Sequence, residues 1–245
     1  RYFATLSLLG ESNSRFGENA DGLSMFGVKW AIFPSVQLGW VLTNERWFPA
    51  MKGINYLRLN AGFDMSGNDD INNYAARSSF SAVKFHDKKT GLQLTNIGND
   101  EIKWETTTKW NVGLEARFLN NRIALAADYF IHNTTDLLTL QNFSNPVAGI
   151  NNYWCNGGEL RNTGYEVSLS VKPVVTKDWR VEMGASVGHY KNEVTKLPAG
   201  NFETEVYGAS ILTAVNNPVG LFYGYKTEGV FADDAAAQAA AVNAN

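Results

Sequence analysis

Residues 103–118, KWETTTKWNVGLEARF, alternate with a period of two. Trp104, Thr106, Thr108, Trp110, Val112, Leu114, Ala116 and Phe118 fall on one side, and Lys103, Glu105, Lys109, Asn111, Gly113, Glu115 and Arg117 on the other. Only a β-strand turns that spacing into two faces, one apolar and aromatic, one polar and charged. Two solvents suit such a ribbon. Its apolar face can meet the core of a soluble sandwich, or it can meet lipid while the polar face lines water.

The same alternation recurs along the chain. Phe26, Val28, Trp30, Ile32, Pro34, Val36, Leu38, Trp40 and Leu42 keep one phase across Pro34, so one long strand over about residues 25–43 is expected, with an irregularity at the proline. Further strands run through Leu57–Leu59–Ala61–Phe63–Met65, Ile123–Leu125–Ala127–Tyr129–Ile131, Tyr165–Val167–Leu169–Val171 and Trp179–Val181–Met183–Ala185–Val187, and another starts near Leu221. The links between them alternate in length. Residues 44–53, 119–121 and 173–178 are short or medium; residues 10–25, 67–102, 141–160 and 194–220 are long. In an up-and-down antiparallel sheet this collects the short turns at one end and the long loops at the other, an asymmetry of outer-membrane barrels.

A half-buried soluble sheet alternates too, so the sandwich stays open as the alternative. Three features favour a membrane. The strands match the about 9–11 residues a tilted membrane strand needs, where globular strands peak at about 5–6. Trp104, Trp110, Phe118, Tyr129 and Trp179 lie on the apolar face, often near strand ends, as an interfacial aromatic girdle would. The reverse face carries ionised groups in mid-strand, Glu115, Asp128 and Glu182. Facing lipid at that depth costs about 2–4 kcal/mol for Lys or Arg and less for an acid, so these residues are expected to face water.

Composition excludes little. The net charge of -3 gives no basic footprint for nucleic acid, and mean hydropathy is -0.23. No apolar run reaches the about 18 residues of a membrane helix, which says nothing of barrels. The single cysteine, Cys155, has no internal disulfide partner and reads as a buried or inert thiol. The chain opens in a strand-like run and closes in an Ala-rich tail, and is expected to be an internal portion of a longer protein. That tail, with Asp233 and Asp234 at its head, suits a helix inserted in a long loop.

Ordered motifs carry a family resemblance. They are Ser14-Arg15-Phe16-Gly17, Phe33-Pro34-Ser35, Gly39-Trp40, Asn44-Glu45-Arg46-Trp47-Phe48, Leu57-Arg58-Leu59, Ser66-Gly67-Asn68-Asp69 and Lys103-Trp104-Glu105-Thr106-Thr107. They continue through Asn111-Val112-Gly113-Leu114, Asn121-Arg122, Asp128-Tyr129-Phe130, residues 158–166 (GELRNTGYE), Tyr223-Gly224-Tyr225 and Gly229-Val230-Phe231. In this set the chain resembles the SusC/RagA-type TonB-dependent outer-membrane transporters. The resemblance implies an all-β fold, part of the wall of a 22-stranded antiparallel up-and-down transmembrane β-barrel with long extracellular loops and short periplasmic turns. Residues 1–245 would be part of that barrel domain, with the plug and N-terminal segments outside them. It implies import of glycan fragments or peptides, a SusD-like surface lipoprotein as lid, and the TonB complex acting through the plug. A homodimer of the transporter complex is one arrangement it allows. A siderophore- or cobalamin-type receptor and an adhesin-like surface-binding sandwich are the alternatives.

Plain physics covers several motif residues. Asn120-Asn121 suits a tight turn, and Asn44 could cap a helical turn over residues 45–48. Gly39, Gly62, Gly113, Gly164 and Gly184 on the polar face leave room for a plug or relieve crowding. Catalytic and metal chemistry is not indicated, and no cofactor is expected. His86, His132 and His189 are scattered, no zinc spacing or nucleophile elbow occurs, and the acids around Asp64, Asp69 and Asp70 miss the EF-hand spacing. Glu115/Arg117 and Glu182/Arg180 read as cross-strand charge pairs of a hydrated wall. The substrate-contact candidates are the aromatics of the long loops, Tyr74, Phe80, Phe85, Phe143, Tyr153 and Trp154, able to stack on a sugar or hold an apolar peptide side chain. Packing of loops or lid is their competing and more ordinary use.

Overall fold

The computed structural model describes residues 1–49, 53–85, 89–147, 149–198, 200–226 and 229–242, without the side chains of Phe85 and of residues 142–147 and 240–242. His86 and the side chains of Phe85 and Phe143 therefore lie outside the described structure.

One twisted antiparallel sheet dominates. It contains β1 (Tyr2–Glu11), a short β2 (Leu23–Met25), β3 (Val28–Val41) and β4 (Ile54–Asn68). After a hairpin of β5 (Ser79–Phe85) and β6 (Lys89–Asn96), it continues with β7 (Glu105–Phe118) and β8 (Ile123–Thr135). A second hairpin, β9 (Leu138–Val147) and β10 (Ile150–Asn156), precedes β11 (Glu159–Val175) and β12 (Arg180–Lys196). A small sheet of β13 (Phe202–Val206), β14 (Ala209–Thr213) and β15 (Leu221–Tyr223) follows, then helix α1 (Asp234–Val242). The sheet order is β1-β3-β4-β7-β8-β11-β12, with β2 on β3, every neighbour antiparallel. The chain thus runs up and down as its link lengths predict. The wall strands from β3 onward have 13 to 17 residues, long enough to cross a bilayer at a tilt.

Register keeps the two faces separate from strand to strand. Ala4, Leu38, Ala61, Val112, Tyr129 and Tyr165 form one cross-strand row on the apolar side. One step along, Gly39, Asn60, Gly113, Asp128 and Glu166 form a row on the polar side. The apolar row is uncovered: Val112 is 58% exposed, Leu38 52% and Tyr129 49%. Leu114, Leu125 and Val167 are only half-buried, by their lateral neighbours. No second sheet lies over them among the described residues, which removes the sandwich.

The polar face is a set of lateral pairs. Arg58 faces Glu115 across β4–β7 at 3.9 Å, and Asp64 faces Lys109 at 3.6 Å. The partner of Glu115 is therefore Arg58 and not Arg117, whose guanidinium stands over the Tyr56 ring. Arg180 and Glu182 do pair, at 3.5 Å, but along one strand. Glycine makes room for these side chains. A Cβ on Gly113 would overlap the Asp128 carboxylate, and one on Gly62 the amides of Gln37 and Asn111.

Several local expectations are revised. Phe26 is not in the long strand: Phe26 and Gly27, at φ 56° and 78°, make the two-residue turn that pairs Met25 with Val28. β3 runs unbroken through Pro34, because pairing with β4 begins at Ser35 and the proline lies outside that ladder. Asn44 caps nothing. A 3-10 turn over Leu42–Asn44 precedes the expected one, the Asn44 carbonyl accepts from Arg1 Nε at 3.0 Å, and residues 45–48 do turn, with Phe48 N donating to the Glu45 carbonyl at 3.2 Å. The β7–β8 turn holds Leu119, Asn120 and Asn121 all at positive φ, as the asparagine pair suggests. The tail forms α1, and the Asp233 carboxylate accepts from Ala236 N at 2.8 Å as its N-cap.

Candidate functional site

The links at the short-turn end only reverse the chain. At the opposite end the long links fold back on one another and build a buried core of Phe16, Phe33, Ile71, Ala75, Ala76, Ile102 and Trp104. Trp104 is the main correction here. Its place in the alternation suggests a lipid-facing girdle, yet β7 begins one residue later and Trp104 is 3% exposed, its ring stacked on Phe16 at 4.1 Å. Arg15 sets Phe16 in place. Its guanidinium donates to the Asp69 carboxylate at 2.8 Å, to the Asp69 carbonyl at 3.0 Å and to Asn73 Oδ1 at 3.0 Å. Gly17 then donates through its amide to the Ile102 carbonyl at 3.0 Å and lies so close to Asp100 that a Cβ would overlap that backbone. Asp69 is thus engaged by an arginine, and Asp64 by a lysine, rather than standing together as an ion cage.

A second knot joins the start of β7 to the β9–β10 hairpin. Asn156 accepts from Lys103 N at 2.8 Å and donates to the carbonyls of Lys103 and Asp136 at 2.8 and 2.9 Å. The Lys103 ammonium reaches Asp21 at 3.1 Å and Asp136 at 3.2 Å. Burial acts to lower its pKa, but hydrogen bonds to the two carboxylates outweigh that and raise it. Glu105 completes the join by accepting from Leu138 N at 3.3 Å.

Two clefts flank the β9–β10 hairpin. One, of about 630 Å³, is polar and is lined by Asn19, Asp21, Asn99, Glu101, Lys103, Gln141 and Tyr153. The other, of about 620 Å³, mixes Leu140, Leu197, Pro198 and Phe202 with Gln141, Glu203 and Glu205. Cys155 borders both and is half-buried, with Sγ 3.5 Å from Gln141 Oε1. Planar amides, carboxylates and an aromatic ring around a wet cleft can hold a polar oligomer by hydrogen bonds and stacking.

The four aromatic candidates whose side chains are described do not converge. Tyr153 lines the polar cleft, its hydroxyl donating to Gln141 Oε1 at 3.3 Å. Trp154, next along β10, points to the other side and packs against the buried cluster, the loop-packing use. Tyr74, at φ 59°, and Phe80 stand exposed at 58% and 62%. The amides that shape the polar cleft, Asn19, Asn99, Gln141 and Asn156, carry no pattern that a single sequence could flag. His132 stacks on Phe130 at 4.8 Å opposite Lys109, while His189 tilts against Tyr165 at 6.1 Å.

A wall with one wet and one oily face, rimmed by folded loops at one end, has clear counterparts among known proteins. The family described as TonB dependent receptor-like, beta-barrel, matches residues 4–237. The chain belongs to that family. It is 30% identical over 210 residues to TonB-dependent receptor SusC of Bacteroides thetaiotaomicron, covering 82% of this chain and 20% of that protein. It is 29% identical over 238 residues to TonB-dependent receptor P39 of Formosa agariphila, covering 96% of this chain and 21% of that protein. Among solved structures, the RagAB peptide importer in its closed-closed state superposes with a TM-score of 0.76 at 25% identity, over 89% of this chain and 23% of the other; its open-open state gives 0.75 over the same shares. The chain therefore spans about a fifth of the length of the curated relatives it matches. As a SusC/RagA-like barrel segment, its sheet is a partial TonB-dependent receptor wall, and proteins of this family are barrels of the outer membrane. The relatives named are receptors and transporters rather than enzymes.

Proposed function

We propose that residues 1–245 are part of the barrel domain of an outer-membrane active importer of nutrient oligomers, glycan fragments or peptides. The apolar row through Val112 and Tyr129 meets acyl chains; the polar row through Asn60, Asp128 and Glu166 borders the passage that holds the plug. The long-loop end faces outward beneath a SusD-like lipoprotein, and energy enters from the TonB complex through the plug. The observation that carries this reading is the separation of the two faces across the sheet, together with likeness to SusC and to the RagAB peptide importer. Tyr153 is the cargo contact best supported by position, with Tyr74 and Phe80 as exposed surface for cargo or lid; Trp154 holds its loop. Phe85 and Phe143 remain candidates by sequence alone.

The test expresses the full-length transporter with its lid lipoprotein in a strain lacking both. Uptake of fluorescently labelled oligosaccharides and peptides is measured with TonB present and deleted. TonB-dependent accumulation of one class is expected. Accumulation only of a ferric chelate or cobalamin, or TonB-independent entry, refutes the reading.

A further inference from the structure

Two open strand edges meet at the cleft of about 620 Å³. β13 pairs only with β14, and β9 only with β10. Residues 139–141 of β9 and 202–205 of β13 line the cleft without a gap. A strand face presents alternate residues and a strand edge consecutive ones, so both strands turn an edge to the cleft. No further strand takes up either edge among the described residues. Along β13 the side chains alternate, Glu203 and Glu205 to one side, Phe202, Thr204 and Val206 to the other. The whole strand is exposed. Neither glutamate makes an ion pair or side-chain hydrogen bond among the described residues, and no Lys, Arg or His lines the cleft. Lys196, next in sequence to the lining residue Leu197, is held by Glu159 at 3.2 Å.

We infer that this cleft is a subsite for a basic peptide in extended conformation, which joins the β13 edge as a further strand. The inference rests on the importer reading and narrows its cargo to peptides. An open edge offers a row of unpaired N–H and C=O groups, and the amides of an extended peptide repeat at the spacing that completes the ladder. A glycan carries hydroxyls but no such row. Charge complementarity sets the side chains, because two unpaired carboxylates stand on the edge and no cation of the cleft answers them. Register then fixes their order. Basic residues at every second position lie beside Glu203 and Glu205 on one side of the ribbon, and the residues between them lie beside Phe202 and Thr204 on the other. The apolar lining of Leu140, Leu197 and Pro198 suits the aliphatic stems of Lys and Arg, whose charged heads reach past it.

Binding of acetyl-Val-Lys-Val-Lys-Val-amide to the detergent-solubilised full-length protein is measured by isothermal titration calorimetry. It is compared with acetyl-Val-Glu-Val-Glu-Val-amide, with the block peptide acetyl-Lys-Lys-Val-Val-Val-amide and with a neutral glucan pentasaccharide. The alternating basic peptide is expected to bind tightest. E203Q/E205Q is expected to weaken it on the order of tenfold, as the loss of two exposed charge pairs would, and E203D/E205D to keep it. Methylating the amide nitrogens of the lysines, or instead those of the valines, blocks opposite edges of the peptide strand, and only one of the two sets is expected to abolish binding. Heat-modifiable gel mobility confirms that each variant is folded. Equal or tighter binding of any comparison ligand, undiminished binding by E203Q/E205Q, or an equal effect of the two methylation sets overturns the proposal and leaves the importer reading intact. Binding of the basic peptide with no TonB-dependent accumulation of any oligomer in cells overturns instead the importer reading beneath it, and the cargo assignment with it.

Discussion

Val112→Arg puts the question of solvent directly to the wall. β7 has 14 residues, Glu105–Phe118, and Val112 is next to its midpoint. At about 3.3 Å per residue and a tilt of about 40°, β7 rises about 35 Å, more than the about 25 Å apolar band, and Val112 sits within about 2 Å of the midplane. It is 58% exposed, flanked laterally by Ala61 and Tyr129, so little protein packing is lost on substitution. If the face meets lipid, arginine there costs about 2–4 kcal/mol, about 30- to 1,000-fold in the folded fraction. Ala126 lies on the reverse face opposite Glu115. Arginine there meets water and a carboxylate, and should change stability by no more than about 1 kcal/mol. Leu119→Arg, in the exposed turn beyond the band, should cost about 0–1 kcal/mol.

The assay is urea unfolding of the full-length protein in lipid vesicles, followed by heat-modifiable mobility, with Val112→Ala to subtract the lost methyl groups. A water-bathed face would leave Val112→Arg within about 0.5 kcal/mol, as surface substitutions usually do. That result, or an equal penalty at Ala126, refutes the assignment of faces.

Other expectations concern the loop end. Gly17→Ala drives a Cβ into the Asp100 backbone and should cost at least about 2 kcal/mol of loop stability, whereas Gly113→Ala meets only the Asp128 carboxylate, which can turn aside, at less than about 1 kcal/mol; hydrogen exchange over residues 97–104 separates them. Tyr153→Ala should reduce cargo uptake at unchanged surface level, while Trp154→Ala should speed exchange in the loops it packs against; identical phenotypes would contradict their opposite placement. Cys155, half-buried beside two clefts, should react slowly with a membrane-impermeant maleimide on intact cells, and labelling only after lysis would reverse the orientation of the wall.

The wall was legible because a strand writes its two faces into neighbouring residues. Val112 and Gly113 need no distant information to be told apart, and the register that aligns them with Tyr129 and Asp128 preserves the alternation. The hairpins inside the long links were not legible. β5, SFSAVKF, and β9, LTLQNFSNPV, mix apolar and polar residues without a sustained phase. The loop core was harder still. Arg15 finds Asp69 across 54 residues, and Asn156 finds Lys103 across 53. Neither pair leaves a periodic trace. Trp104 marks the boundary between the two kinds of knowledge. Alternation runs through it unbroken, but β7 begins at Glu105 and the ring is buried by Phe16, from a loop near the start of the chain. A period of two states that a side chain lies on the apolar side. What covers it, acyl chain or a returning loop, is decided by where distant links fold, and that is why the wall could be read residue by residue and its rim could not.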